Sequence, residues 1–104
     1  MTTYFISRHP GALEWMKRRG PAFDRHVEHL DLDQIKAGDV LIGSLPVNLA
    51  AEVCARNAQY FNLSLQLPAH ARGRELSVDE LDSYEAKIEA FDIRKVISKK
   101  CHQR

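Results

Sequence analysis

Short apolar runs alternate along the chain with stretches in which apolar residues recur at steps of three and four. Tyr4-Phe5-Ile6 is the first run, β-prone and close to the N-terminus, as suits a buried opening strand. It leads into Ser7-Arg8-His9-Pro10-Gly11. Pro10 fits the first turn of a helix, Leu13, Trp15 and Met16 supply apolar bulk behind it, and Gly20-Pro21 stops it. A second strand from Arg25 to Leu30 is more polar and reads as a sheet edge, and Asp31 to Lys36 leaves room for little more than a helical turn before Gly38. Asp39-Val40-Leu41-Ile42-Gly43 is apolar without alternation, the pattern of a strand buried on both faces of a parallel sheet.

After Ser44-Leu45-Pro46-Val47-Asn48, Leu49 to Arg56 is helix-forming. Tyr60 to Leu67 predicts a fourth strand, with Phe61, Leu63, Leu65 and Leu67 on one face. Pro68 to Glu75 is a polar loop carrying His70, Arg72 and Arg74. Ser77-Val78-Asp79-Glu80 has capping-box spacing, and Leu81, Tyr84, Ile88 and Phe91 then predict one continuous apolar helix face. Strands alternating with helices imply a sheet covered on both sides. Right-handed crossovers make the first and third strands central and put the second and fourth outside them. The expectation is a small Rossmann-like three-layer α/β domain with a mostly parallel four-stranded sheet over residues 1–93, followed by a basic tail at 94–104.

Composition narrows the function classes. One hundred and four residues suffice for a single core. Fifteen Lys and Arg against fourteen Asp and Glu give a net charge of +1, too balanced for a protein that coats DNA through many phosphate contacts. A small anion held by a few local cations fits that balance. No apolar run reaches the length of about 18 residues that a membrane span needs, and no basic-plus-apolar leader opens the chain. The two cysteines, Cys54 and Cys101, read as reduced thiols, so the expected location is the cytoplasm.

In an open parallel sheet, ligands collect beyond the carboxyl ends of the strands. Three segments are expected there together: Ser7 to Gly11, Ser44 to Asn48, and the loop with Arg72 and Arg74. Two of them enter helix N-termini, where free N–H groups and the dipole favour an anion, and Arg8 adds a forked guanidinium. Simpler roles compete at every position. Ser7 serves equally as a helix-entry cap, Arg8 as partner of a surface carboxylate, His9 as a solvated loop residue, Asn48 as a first-turn group, and Arg72 and Arg74 as surface charges. His26 and His29 lie three apart, which in an extended strand sends them to opposite faces and argues against a shared metal. Phosphate-loop, dinucleotide and serine-hydrolase motifs are absent from the sequence.

Three ordered blocks carry a resemblance: T-Y-F-I-S-R-H-P-G-A-L-E-W, G-D-V-L-I-G-S-L-P-V-N-L-A-A-E-V-C-A-R, and L-S-L-Q-L-P-A-H-A-R-G-R-E-L-S. Together they span roughly residues 2 to 90 and resemble a small family of CRISPR-associated accessory proteins found with type III systems. The resemblance implies a ring nuclease or a relative of one, a phosphodiesterase acting on the second messenger cyclic tetra-adenylate to switch off the antiviral response. It further implies a fold related to cyclic-oligoadenylate sensor domains, commonly a homodimer, and chemistry without metal or cofactor. In that chemistry a ribose 2′-hydroxyl attacks its neighbouring phosphate, leaving a 2′,3′-cyclic phosphate and a 5′-hydroxyl. Beyond what the resemblance itself implies, we expect Arg8 and the helix N-termini to stabilise charge, His9 to move a proton, and Ser7 and Asn48 to orient phosphate or ribose. Gly11, Ser44, Pro46, Asn48, Arg72 and Arg74 are expected to bind the substrate. A protein that sequesters the messenger without cutting it, or one that serves as a structural subunit of a larger effector, is compatible with the same residues.

Overall fold

A computed structural model describes residues 1–97; Cys101 and the tail from 98 onward lie outside the described residues. β1 (Thr3–Ile6), β2 (Arg25–Val27), β3 (Val40–Gly43) and β4 (Gln59–Ser64) run parallel in the order β2-β1-β3-β4, with β1 and β3 central as expected. Helix α1 (Pro10–Arg19) links β1 to β2, α2 (Val47–Ala55) links β3 to β4 and α3 (Val78–Ser83) follows β4, whereas only a 3-10 turn at Leu32–Gln34 lies between β2 and β3. The domain is α/β with helices on both faces, a small Rossmann-like arrangement.

The sheet differs from the expectation by one strand. The helix predicted to run on to Phe91 ends at Ser83, Glu85 takes a left-handed φ of 58°, and β5 (Lys87–Phe91) then pairs antiparallel with β4 from Ser64↔Lys87 to Tyr60↔Phe91. A non-glycine residue at positive φ breaks a helix locally, and the free edge of β4 offers the following residues a ladder instead. Ile88 still packs into the core, whereas Phe91 is 46% exposed. β2 and β4 each end three residues sooner than predicted, at Val27 and Ser64. That trims Glu28-His29-Leu30 and Leu65-Gln66-Leu67 off the strands and leaves them at the carboxyl rim.

Two cores sandwich the sheet. On one face Phe5, Ile42 and Leu63 pack with Ala12, Trp15 and Met16 of α1 and Leu81 of α3. On the other, Tyr4, Ile6, Leu41 and Tyr60 pack with Ala50 and Val53 of α2 and with Ile35. Trp15 Nε1–H and Arg19 Nε–H both donate to the Asp82 carboxylate, at 3.0 and 2.9 Å, and fix α1 against α3. The capping box forms in full: Glu80 N–H donates to Ser77 Oγ at 3.2 Å and Ser77 N–H donates to Glu80 Oε1 at 3.1 Å. Asp39 is the one buried charged residue among those described, and its carboxylate accepts the N–H groups of Lys36 and Thr2 at 2.9 and 3.0 Å. Those two donors hold its pKa below the usual carboxylate value.

Candidate ligand-binding site

A cavity of about 600 Å³ opens at the carboxyl rim of the sheet. Its lining comes from every loop that leaves a parallel strand. Ser7, Arg8 and His9 follow β1; Glu28, His29 and Leu30 follow β2; Ser44, Leu45 and Pro46 follow β3; Leu65, Leu67, Arg74, Glu75 and Leu76 follow β4. The floor is apolar, with Phe5, Leu63 and Leu81, and the charged residues stand around the mouth. Arg8, His9, Glu28, His29, Arg74 and Glu75 are all exposed to solvent. An apolar floor with a few converging polar groups is the usual make-up of a small-ligand site.

The β1–α1 loop is held from its edge. Ser7 N–H donates to Val27 O at 3.0 Å, and His26 Nε2 lies 2.8 Å from Ser7 O, which takes its proton. The His26 ring also lies 5.9 Å from that of Phe5, its register partner on β1. Ser7 Oγ accepts His9 N–H at 3.1 Å, so its own proton stays available to a ligand oxygen. The N-cap of α1 is His9 rather than Ser7, and the His9 side chain makes no capping bond. Pro10 at the next position brings no N–H.

The β3–α2 loop is anchored differently. Tyr60 Oη accepts Leu45 N–H at 2.9 Å and lies 2.6 Å from Asn62 Oδ1, to which its single proton goes; Asn62 in turn donates to Ser64 Oγ at 2.9 Å. Burial pushes the Tyr60 phenol above its ordinary pKa, keeping it neutral. Ser44 Oγ donates to Leu63 O at 3.1 Å, which leaves it acceptor capacity alone for a ligand. Arg74 pairs with the Glu80 carboxylate, which raises the guanidinium's pKa. That same hydrogen bond, with one from Ser77, holds Glu80 below the usual carboxylate range.

The structure therefore gathers Ser7, Arg8, His9, Ser44, Pro46 and Arg74 around one cavity. Three other candidate positions lie elsewhere. Gly11 sits against Leu76: a Cβ there would come 1.9 Å from the Leu76 carbonyl oxygen, so the missing side chain lets α1 meet the loop before α3. Asn48 lines a separate cavity of about 1000 Å³ between α2 and Asp92-Ile93-Arg94-Lys95. Arg72 is exposed and belongs to neither lining. The second cavity is larger, yet only the rim cavity collects the loops of four strands.

Glu28, His29 and Glu75 are the additions that the sequence pattern had hidden. Reading β2 through to Leu30 placed Glu28 and His29 in a strand; once β2 stops at Val27 they are carboxyl-end loop residues like Arg8 and His9. Applying the strand-end rule to the edge strand as well would have found them. No group of three or more His, Cys, Asp or Glu side chains with metal-binding geometry occurs among the described residues. No helix described is long and apolar enough to cross a membrane.

No curated protein and no solved structure matches the chain. A family model described as "Putative CRISPR-associated protein (Cas_VVA1548)" matches residues 4–94, which takes in all five strands but the first residue of β1, and every loop of the rim cavity. The chain belongs to this CRISPR-associated family.

Proposed function

We propose that the protein is a ring nuclease, a phosphodiesterase that binds cyclic tetra-adenylate at the rim cavity and opens it. The observation that carries the reading is the meeting of the Ser7-Arg8-His9, Ser44-Leu45-Pro46 and Arg74 segments around one concave, cation-bearing opening, in a member of a CRISPR-associated family. The substrate's own 2′-hydroxyl is the nucleophile, so the protein's task is to hold it in line with the phosphorus and to stabilise the charge that develops. Arg8 faces the phosphate and the Ser7 hydroxyl donates to a phosphate oxygen. Ser44 and Pro46 receive the ribose and base, Arg74, held by its pair with Glu80, offers its remaining N–H groups to the ring, and His9 moves a proton.

A cavity of about 600 Å³ is in the range that holds one drug-sized ligand, less than a ring of four nucleotides occupies. A homodimer with a twofold axis through the ring presents the cavity twice to a ligand that itself has rotational symmetry. Asn48 and Arg72, outside the cavity of a single subunit, then have a role only if the partner brings them to the ring.

Incubation with labelled cyclic tetra-adenylate, followed by separation of the products, tests the reading. Linear fragments with a 2′,3′-cyclic phosphate and a 5′-hydroxyl are expected, at a rate unchanged by excess chelator. An intact ring retained on the protein would make it a sequestering protein instead. An intact ring free in solution would remove the messenger from its function.

A further inference from the structure

Opening a phosphodiester by 2′-hydroxyl attack moves two protons. One leaves the 2′-oxygen as its bond to phosphorus forms, and one reaches the 5′-oxygen as its bond to phosphorus breaks. His9 accounts for one of them. We propose that His29 carries the other, so that the rim cavity holds an imidazole pair, one ring accepting and one donating. The inference rests on the ring-nuclease reading above and adds a catalytic residue to it.

The topology brings the two histidines to one cavity. β1 and β2 are adjacent and parallel, with Ile6 opposite Val27. Neighbouring strands lie about 4.8 Å apart. His9 stands three residues beyond Ile6 and His29 two beyond Val27, and both line the same cavity. His26, within β2 and outside the cavity lining, is already committed to the Ser7 carbonyl at 2.8 Å. His9 and His29 are exposed, and neither imidazole is engaged by a hydrogen bond among the described residues.

The surroundings suit a pair that shares its protons. Around the opening stand Arg8 on the β1 loop, Glu28 beside His29 on the β2 loop, and Arg74 and Glu75 on the β4 loop, with Arg74 already paired to Glu80. A neutral imidazole can accept a proton and an imidazolium can donate one, so two imidazoles at one opening supply the acceptor and the donor that the step requires.

The test is single-turnover cleavage of cyclic tetra-adenylate across pH by wild type, His29→Ala, His29→Gln and His9→Ala. Binding is measured in parallel with the all-2′-deoxy ring, which lacks the nucleophile. Wild type should give a bell-shaped profile. His29→Ala and His29→Gln should each cut the rate by about 10²–10⁴, remove one limb of the bell, and leave binding within about threefold. A ring with a bridging 5′-sulfur, whose thiolate leaves without a proton, assigns the roles. Recovery of His29→Ala on it makes His29 the acid, and no recovery makes it the base. Wild-type cleavage with an unchanged rate in His29→Ala, or a slower rate with both limbs intact, overturns the role of His29 while leaving the ring nuclease standing. Absence of cleavage by wild type overturns both.

Discussion

The Tyr60 hydroxyl accepts the backbone N–H of Leu45 at 2.9 Å, so a buried phenol on β4 fastens the loop that carries Ser44 and Pro46. Tyr60→Phe keeps the ring in the core and deletes that bond. The Leu45 N–H and the Asn62 amide oxygen both lose a partner. An unsatisfied group of this kind costs about 1–3 kcal/mol. Denaturant unfolding should show a loss of that size, and messenger affinity should fall with it as the loop loosens.

Gly11 separates packing from ligand contact. In Gly11→Ala the new methyl would meet the Leu76 carbonyl oxygen at 1.9 Å and push α1 off the loop before α3. Overpacking of this sort costs about 1–3 kcal/mol. The expected outcome is a lower unfolding midpoint at saturating ligand as well as without it. A variant of unchanged stability but weakened binding would instead place Gly11 at the ligand.

Arg8 and His9 are adjacent in sequence but differ in expected effect. His9→Ala should leave binding of the uncleavable deoxy ring largely intact and slow cleavage by about 10²–10⁴. Arg8→Ala removes the charge we assign to the phosphate; loss of such a contact typically weakens binding by about ten- to a hundredfold, and the variant should cleave more slowly too. Equal cleavage by wild type and His9→Ala would take His9 out of the mechanism.

Much of this arrangement is legible in the sequence, because β1, β3 and their helices obey local rules. Val40-Leu41-Ile42 is apolar throughout and ends up between two covered faces, and Ser77 with Glu80 forms the box its spacing announces. Lys87 to Phe91 resists such reading. Leu81, Tyr84, Ile88 and Phe91 recur at helical steps, yet the choice between helix and strand is made by pairing with β4, more than twenty residues away, and by Glu85 turning left-handed. Tertiary pairing overrides a local periodicity there. The candidate site was half legible for the same reason. Arg8, His9, Ser44 and Arg74 stand where strand ends predict, whereas Glu28 and His29 depended on where a short edge strand stops, and Asn48 on which side of α2 its side chain lies.

Asp39 gives the domain an acid-sensitive tie between its first residues and the turn before β3. The carboxylate's pKa is depressed in the fold from 3.8 in the unfolded reference, by the N–H groups of Lys36 and Thr2. A depressed pKa stabilises the fold above the unfolded value, and that contribution is lost as pH falls through the lower folded value. Wild type should therefore lose stability as pH falls below 3.8 and through the lower folded value. Asp39→Asn should be less stable at neutral pH and flatter across that window. Parallel curves for the two proteins in acid would show that the charge does not matter.

Helix α1 starts on an imidazole that satisfies none of its opening amides. Asparagine in that place typically gains about 1 kcal/mol over a residue that cannot cap, so His9→Asn should melt higher than wild type while losing turnover. Selection for thermal robustness alone would then discard the residue to which we assign proton transfer, and its retention would mark a compromise between a sturdy protein and a working one.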